Sequence, residues 1–368
     1  MTEGLAAGDL DTPALVIHLD VLAANLAAMA AVAAGAGVRL RPHTKTHKCP
    51  EIARMQVEAG ATGITVAKLG EAEVMADAGL DDLLVAYPIV GDAKLARLRA
   101  LRERARVRVS LDGMPVAEGV GSVGSAADPV EVLVEVDTGH HRLGRPPGEP
   151  TASLAAEVAR VPGLEVMGLL SHAGHAYRAR PDELHEVAAR EAAALVETAE
   201  ACARAGVPIR EISVGSTPTA RAVTDVAGVT ESRPGTYACN DVQQMRLGVA
   251  EEAECAARVL VTVVSRPWHD RFVIDAGSKS LSSDGADGPP FPGRGVVAGR
   301  VDLVLDFLTE EHGVGHVLPG GADLEVGDRL EVIPLHVCSC VNLFDTALGI
   351  LDGRVERELA IAGRGRVR

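Results

Sequence analysis

The chain has 368 residues, 47% hydrophobic and 24% charged, an ordinary balance for a folded soluble protein. Its formal net charge is −15 and its basic residues are scattered, which argues against nucleic acid and anionic membranes as main partners. No apolar run approaches the roughly 20 residues needed to span a bilayer, and Met1–Asp11 lacks the basic and apolar regions of a signal peptide. The cysteines, Cys49, Cys202, Cys239, Cys255, Cys338 and Cys340, are spread too widely for a disulfide framework, so a reduced, cytoplasmic protein is expected. Aromatic residues make up only 2%, leaving Ala, Val and Leu to build the core. Tyr87, Tyr177 and Tyr237 all fall beside candidate site motifs, a placement that favours functional use.

In chain order, Ala14–His18 resembles a strand and is expected to pair with the C-terminal region. A helix over Asp20–Ala34 leads to a strand at Val38–Arg41, and then helices and strands alternate: Cys49–Ala59, Gly63–Ala67, Leu69–Ala78, Asp82–Ala86, Asp92–Arg104 and Val107–Leu111. Strands at Glu131–Asp137, Val166–Ser171, Glu211–Gly215 and Thr230–Arg233 follow, with helices at Ala152–Val161 and Leu184–Ala205. Eight such units fit an α/β fold, a (β/α)8 TIM barrel over residues 20–250. A doubly wound open sheet is the runner-up, but no Gly-x-Gly-x-x-Gly opens a helix after the first strand. Beyond Glu251 the pattern becomes β-rich, at Val259–Ser265, Arg271–Asp275, Gly295–Leu305 and Arg329–Pro334. A second, smaller all-β domain is expected over 251–368 plus 1–19, with a Gly/Pro/Asp-rich loop at Ser282–Arg294.

Active residues of such barrels sit at the C-terminal ends of strands. The first strand ends in Arg41-Pro42-His43-Thr44-Lys45-Thr46-His47-Lys48. Cationic neighbours lower a lysine's pKa and leave more free amine to attack carbonyls, although this stretch alone also reads as a solvated basic loop. The fifth strand ends in Asp137-Thr138-Gly139-His140-His141-Arg142 and the sixth in Ser171-His172-Ala173-Gly174-His175-Ala176-Tyr177. The seventh ends in Gly215-Ser216-Thr217-Pro218-Thr219, and the eighth leads to Gly235-Thr236-Tyr237. Backbone N–H groups and hydroxyls at Gly215, Ser216 and Thr217, with Gly235 and Tyr237 from the next strand, would cradle a phosphate. A lysine at one strand end and a phosphate seat across the barrel point to pyridoxal 5'-phosphate. Lys68, Asp137, Asp275 and Lys279 read as ion-pair residues.

Near the C-terminus, His336-Val337-Cys338-Ser339-Cys340 follows a strand. A period of two would put His336, Cys338 and Cys340 on one face, where imidazole and thiolate suit Zn²⁺. A histidine beside two buried core cysteines is the competing reading.

Taken together, these motifs resemble the fold-type III pyridoxal phosphate enzymes of the D-serine dehydratase / D-threonine aldolase group, relatives of alanine racemase. The likeness runs from Asp11-Thr12-Pro13 to Ala362-Gly363-Arg364-Gly365. It implies a dimer acting on a small-molecule D-amino acid, with Lys45 as the Schiff-base lysine and His336 and Cys338 as ligands of a divalent metal. His172 and Tyr177 join the cofactor contacts, and His43, Arg142 and Tyr177 are the other catalytic candidates. His-x-Cys resembles the zinc-bearing dehydratases, whereas aldolases more often carry His-x-Asp with manganese or a similar ion. Cys340 departs from the proline common after this motif. The expected reaction is β-elimination from a D-3-hydroxy amino acid to a 2-oxo acid and ammonia. Alternatives are retro-aldol cleavage to glycine and an aldehyde, amino-acid racemisation, and non-catalytic carriage of the cofactor.

Overall fold

Short runs rich in Val, Leu and Ile, too apolar to face water, are buried as most of the parallel strands. A computed structural model describes residues 2–223, 226–321 and 323–368. They fall into two compact units, Met1–Leu26 with Thr46–Glu51 and Thr236–Arg364, and Ala27–Lys45 with Ile52–Gly235 and Gly365–Arg368. In chain order the strands are β1 (Ala14–His18), β2 (Arg39–Leu40), β3 (Ile64–Val66), β4 (Asp82–Val85), β5 (Arg106–Leu111), β6 (Val130–Glu135), β7 (Leu164–Leu170), β8 (Glu211–Val214) and β9 (Glu231–Ser232). They continue as β10 (Ala257–Trp268), β11 (Arg271–Ile274), β12 (Gly295–Val297), β13 (Leu303–Leu308), β14 (Gly313–Val317), β15 (Arg329–Pro334), β16 (Thr346–Leu351) and β17 (Arg354–Ala360).

In the second unit β2 to β9 pair in the order β2-β9-β8-β7-β6-β5-β4-β3, every pair parallel. His43 bridges Thr65, the Thr65 N–H donates to Pro42 O at 2.8 Å, and the Thr44 N–H to Thr65 O at 2.8 Å, so the ring closes as a barrel. Helices Leu69–Asp77, Asp92–Arg102, Glu149–Val158 and Leu184–Arg204 lie within a few residues of their expected ends. Met114–Gly121 is a helix that the sequence reading missed. Gly119 and Gly121 weaken its pattern, and Pro115 is tolerated only because it sits in the first turn.

The barrel also buries charge. Arg41 is 2% exposed, and its Nε donates to Glu231 at 2.8 Å while its other nitrogen reaches Asp82 at 2.7 Å. Ser213 donates to the second Glu231 oxygen at 2.7 Å. A Cβ at position 63 would stand 2.3 Å from the Arg41 guanidinium, which accounts for Gly63.

The first unit holds a β-barrel. β10, β11, β14, β13, β12 and β15 pair in a closed antiparallel ring of six, and β1, β16 and β17 extend it from β10. β1 runs antiparallel to β10 and parallel to β16, so the expected pairing of Ala14–His18 is observed. The β-rich stretch expected over Gly295–Leu305 holds β12 and the start of β13, divided by a turn at Gly299, whose φ is +69°. β14, β16 and β17 escaped the sequence reading. β14 carries two glycines, and β17 at the edge carries Arg354, Glu356, Arg357 and Glu358, charges that suit an unpaired edge but weaken the strand signal.

Replacing Arg41 with Ala would strand the Glu231 charge, and urea titration should register a loss of about 3–5 kcal/mol. Burial alone would raise the Glu231 carboxyl, but the Arg41 guanidinium outweighs it and holds the group below the usual carboxylate range. This contribution is full above the unfolded carboxylate pKa and is lost as pH falls through the lowered folded value. The Arg41→Ala variant should therefore show a flatter acid limb of stability than the parent.

Candidate cofactor and metal sites

Beyond β2 the chain follows Thr65 as far as His43, and the Lys45 N–H lies 3.4 Å from His43 Nδ1. Lys45 is half-buried and His43 is buried. Burial, reinforced by Lys45, Arg233, His172 and Arg142, drives the His43 pKa far below its ordinary value, so the ring is neutral at pH 7. This corrects the expectation of cationic histidines around the lysine. His47 and Lys48 belong to the other unit, where His47 Nδ1 accepts the Cys49 N–H at 3.2 Å and Lys48 Nζ donates to Asn342 at 2.9 Å.

The ends of β6, β7 and β8 meet within the barrel unit. His172 Nδ1 lies 3.0 Å from Gly215 O. A carbonyl can only accept, so Nδ1 carries the hydrogen and Nε2 keeps the lone pair. Burial first, then Lys45, pushes the His172 pKa well down despite that bond, with Arg142 and Arg233 adding to the fall. His140 meets the His172 ring edge-on, with centroids 5.7 Å apart. Arg142 is exposed, and Tyr177 is half-buried in the 3₁₀ turn Gly174–Arg178.

Gly215 has φ +133°, and a Cβ there would lie 2.9 Å from the Arg233 nitrogen, so only glycine fits. Ser216 Oγ pairs with Thr219 Oγ1 at 3.0 Å, and the Gly235 N–H donates to the Thr217 hydroxyl at 3.3 Å. Gly215, Ser216, Thr217 and Gly235 are thus brought together. The helix start expected after β8 is a 3₁₀ turn, Thr217–Thr219. Tyr237 is buried and lies in the β unit.

The metal motif is not a strand. Val337–Val341 is a short helix with His336 as its N-cap, so period-two alternation fails. Residues two apart on a helix point to nearly opposite sides. Cys340 turns into the interior, its thiol 3.1 Å from Ser280 O, whereas half-buried Cys338 lies 3.3 Å from the Thr46 hydroxyl. His336 and Cys338 meet side chain to side chain, and His336 Nδ1 lies 3.3 Å from Asp284 and 3.3 Å from Ser339 Oγ. Burial works to lower the His336 pKa, but Cys338, Asp241 and Asp284 together raise it to about 9. Asp241 accepts the Val337 N–H at 3.0 Å and the Gln244 N–H at 3.0 Å, tying this helix to Val242–Arg246, and burial lifts its own carboxyl to about 6. A carboxylate on one imidazole nitrogen orients the ring for a metal. Among the described residues no three His, Cys, Asp or Glu side chains converge as a metal-holding group, so His336 and Cys338 would act as a pair with open positions.

Several residues here were given no role from the sequence. Arg233 is buried, its Nε donating to Ser213 Oγ at 2.8 Å. Glu191 interrupts the apolar stripe of Leu184–Arg204, between Ala188 and Leu195, and that misplaced charge was the available signal. Asp284 and Asp241 had none, because they depend on tertiary approach. Lys68, read as an ion-pair residue, instead places its ammonium 3.3 Å over the Tyr87 ring, and no carboxylate pairs with it among the described residues. Asp137 does bond His141, at 2.7 Å, and Lys279 pairs with Glu311 at 2.7 Å. Asp275 instead accepts the Thr12 hydroxyl at 2.6 Å and the Thr262 N–H at 2.8 Å.

Residues 17–240 match the alanine racemase N-terminal domain family, and residues 256–350 a putative serine dehydratase domain. The chain is 36% identical to D-threo-3-hydroxyaspartate dehydratase of Delftia sp. (strain HT23), over 94% of this chain and 96% of the relative. It is 35% identical to D-threonine aldolase of Arthrobacter sp, over 97% and 93%. Among solved structures it is similar to D-threonine aldolase from Filomicrobium marinum, with TM-score 0.91, 33% identity and full coverage of both chains. It is also similar to a metal-free mutant of D-threo-3-hydroxyaspartate dehydratase, with TM-score 0.89, 34% identity and coverage of 97% and 98%. With a racemase-type barrel followed by a dehydratase-type β unit, the chain belongs to the alanine racemase-like, fold-type III family of the D-serine dehydratase / D-threonine aldolase group.

Proposed function

We propose that this enzyme is a pyridoxal phosphate- and metal-dependent lyase of D-3-hydroxy amino acids, and that its reaction is β-elimination to a 2-oxo acid and ammonia. The observation that carries the choice of dehydration is Cys338 beside His336, the thiol-bearing form of the motif. Retro-aldol cleavage is the second reading, because an aldolase matches the chain about as well as a dehydratase does.

The residues present fit the cofactor. The Gly215–Thr217 turn combines a glycine-only backbone with two hydroxyls, a donor set suited to phosphate, and the Gly235 N–H holds the Thr217 hydroxyl in place. His336 and Cys338 fit a soft-to-borderline divalent ion, Zn²⁺ first and Mn²⁺ second. When bound, the cofactor supplies an electron sink for charge at Cα, and the metal supplies Lewis acidity for a hydroxyl leaving group.

Lys45 would hold the cofactor through its Nζ, and its amine, once freed, would be the group that accepts the α-proton. The Cα–H bond breaks first. The Cβ–O bond then breaks, and the hydroxyl takes a proton and leaves as water. The enamine released tautomerises and is hydrolysed to the 2-oxo acid and ammonia. Neutral His43 and His172 would add no positive charge, which would leave Arg142 to pair with the cofactor's phenolic oxygen, with Tyr177 as the further catalytic candidate. A homodimer in the cytoplasm completes the proposal. No helix among the described residues is long and apolar enough to cross a membrane.

Lys45→Ala should abolish both the visible band of the linked cofactor and all turnover. Deuterium at the substrate α-carbon should slow release of the 2-oxo acid. An unchanged rate with glycine as product would assign aldol cleavage instead. Chelation should stop 2-oxo acid formation while leaving the visible band, and elemental analysis should find the metal lost from His336→Ala and Cys338→Ala. A chelated enzyme still at full rate would remove the metal from the reaction.

A further inference from the structure

The helix Leu184–Arg204 packs its apolar stripe on the barrel, yet at its centre it buries a carboxylate, Glu191, only 1% exposed. Burying a carboxyl is costly unless its oxygens are satisfied. Glu191 Oε1 accepts the Ser171 hydroxyl at 2.6 Å and the Gly215 N–H at 3.4 Å, and the carboxyl also takes the Ala173 N–H. Ser171 and Ala173 are the two neighbours of His172 in the chain. Gly215 is the residue whose carbonyl receives His172 Nδ1–H at 3.0 Å. One carboxyl group therefore holds the Ser171 hydroxyl on one side of His172, the Ala173 backbone on the other, and also the residue that fixes the His172 ring. Its other oxygen, Oε2, is buried without a hydrogen-bond partner, so packing alone does not explain a glutamate here.

We propose that Glu191 is a positioning residue: it holds the β7 and β8 ends in register so that His172 keeps its Nδ1–H tautomer and turns Nε2 toward the cofactor. The proposal rests on the cofactor reading above and deepens it. Without Glu191, the Gly215 carbonyl and the His172 ring have no common anchor. The proton would then be shared between Nδ1 and Nε2 of a ring that feels the charges of Lys45, Arg142 and Arg233, with His140 at its edge. The Gly215 turn that serves the phosphate would loosen with it. Glutamine in place of Glu191 retains the working Oε1 and alters only the unpartnered atom, so it should rescue.

The test reads the tautomer directly, by nitrogen-15 NMR of histidine-labelled protein without cofactor, and then the dissociation constant for added pyridoxal phosphate. The parent and Glu191→Gln should show His172 as the Nδ1–H form alone. Glu191→Ala should show both tautomers and bind the cofactor about tenfold more weakly, the size expected for losing one to two anchoring hydrogen bonds. If Glu191→Ala does not fold, Ser171→Ala removes the shortest bond without emptying the core and should give partial mixing. A single Nδ1–H tautomer in the folded Glu191→Ala protein, or in Ser171→Ala when that variant stands in, overturns the proposal. A tautomer change in a protein that never binds pyridoxal phosphate would instead keep the positioning role and overturn the cofactor reading.

Discussion

Two buried guanidinium groups, Arg41 and Arg233, govern the barrel. A buried cation must be compensated, and here carboxylates are arrayed to do so, chiefly Glu231 for both, with Asp82 for Arg41 and Glu191 and Glu135 for Arg233. With the positive charge already placed, burial forces His43 and His172 to stay neutral. The site at the strand ends can therefore hold a lysine amine beside two imidazoles without accumulating charge. The apolar packing of the valine- and leucine-rich strands supplies the stability, and burial first, reinforced by the neighbouring cations, keeps the two imidazoles at the mouth neutral.

The β unit solves a different problem with similar means. His336 and Cys338 come together because the chain leaves β15 as a helical turn rather than continuing as a strand. Asp241 secures that turn through the Val337 N–H. Asp284, from the loop after β11 and a short helix, aligns the imidazole. The pair is thus positioned by two carboxylates that are not expected ligands, the arrangement that keeps a metal-binding ring from rotating.

The barrel was legible in the sequence because most of its strands announce themselves by an apolar run and most of its helices by their alanine-rich spacing, Met114–Gly121 excepted. Strand ends were legible too, which is why Lys45, His172 and the Gly215 turn could be named. What stayed hidden depends on contacts between distant residues. The protonation of His43 follows from burial that no local pattern encodes. The face of Cys340 depended on a helix-versus-strand choice that five residues cannot decide. Glu191 was visible as a charge within an apolar stripe, but its partners, Ser171 and Gly215, come from two other loops.

Five of the six cysteines are buried, and burial pushes the thiols of Cys202 and Cys255 up to about 11 and about 12, with those of Cys239 and Cys340 raised as well. Only Cys338 has an exposed edge. The sulfur chemistry open to electrophiles and oxidants is therefore concentrated on one atom, the one proposed to hold the metal. Ageing of the protein by air or alkylating agents should strike there before it touches the core, so damage would register as lost catalytic capacity in a chain that remains folded.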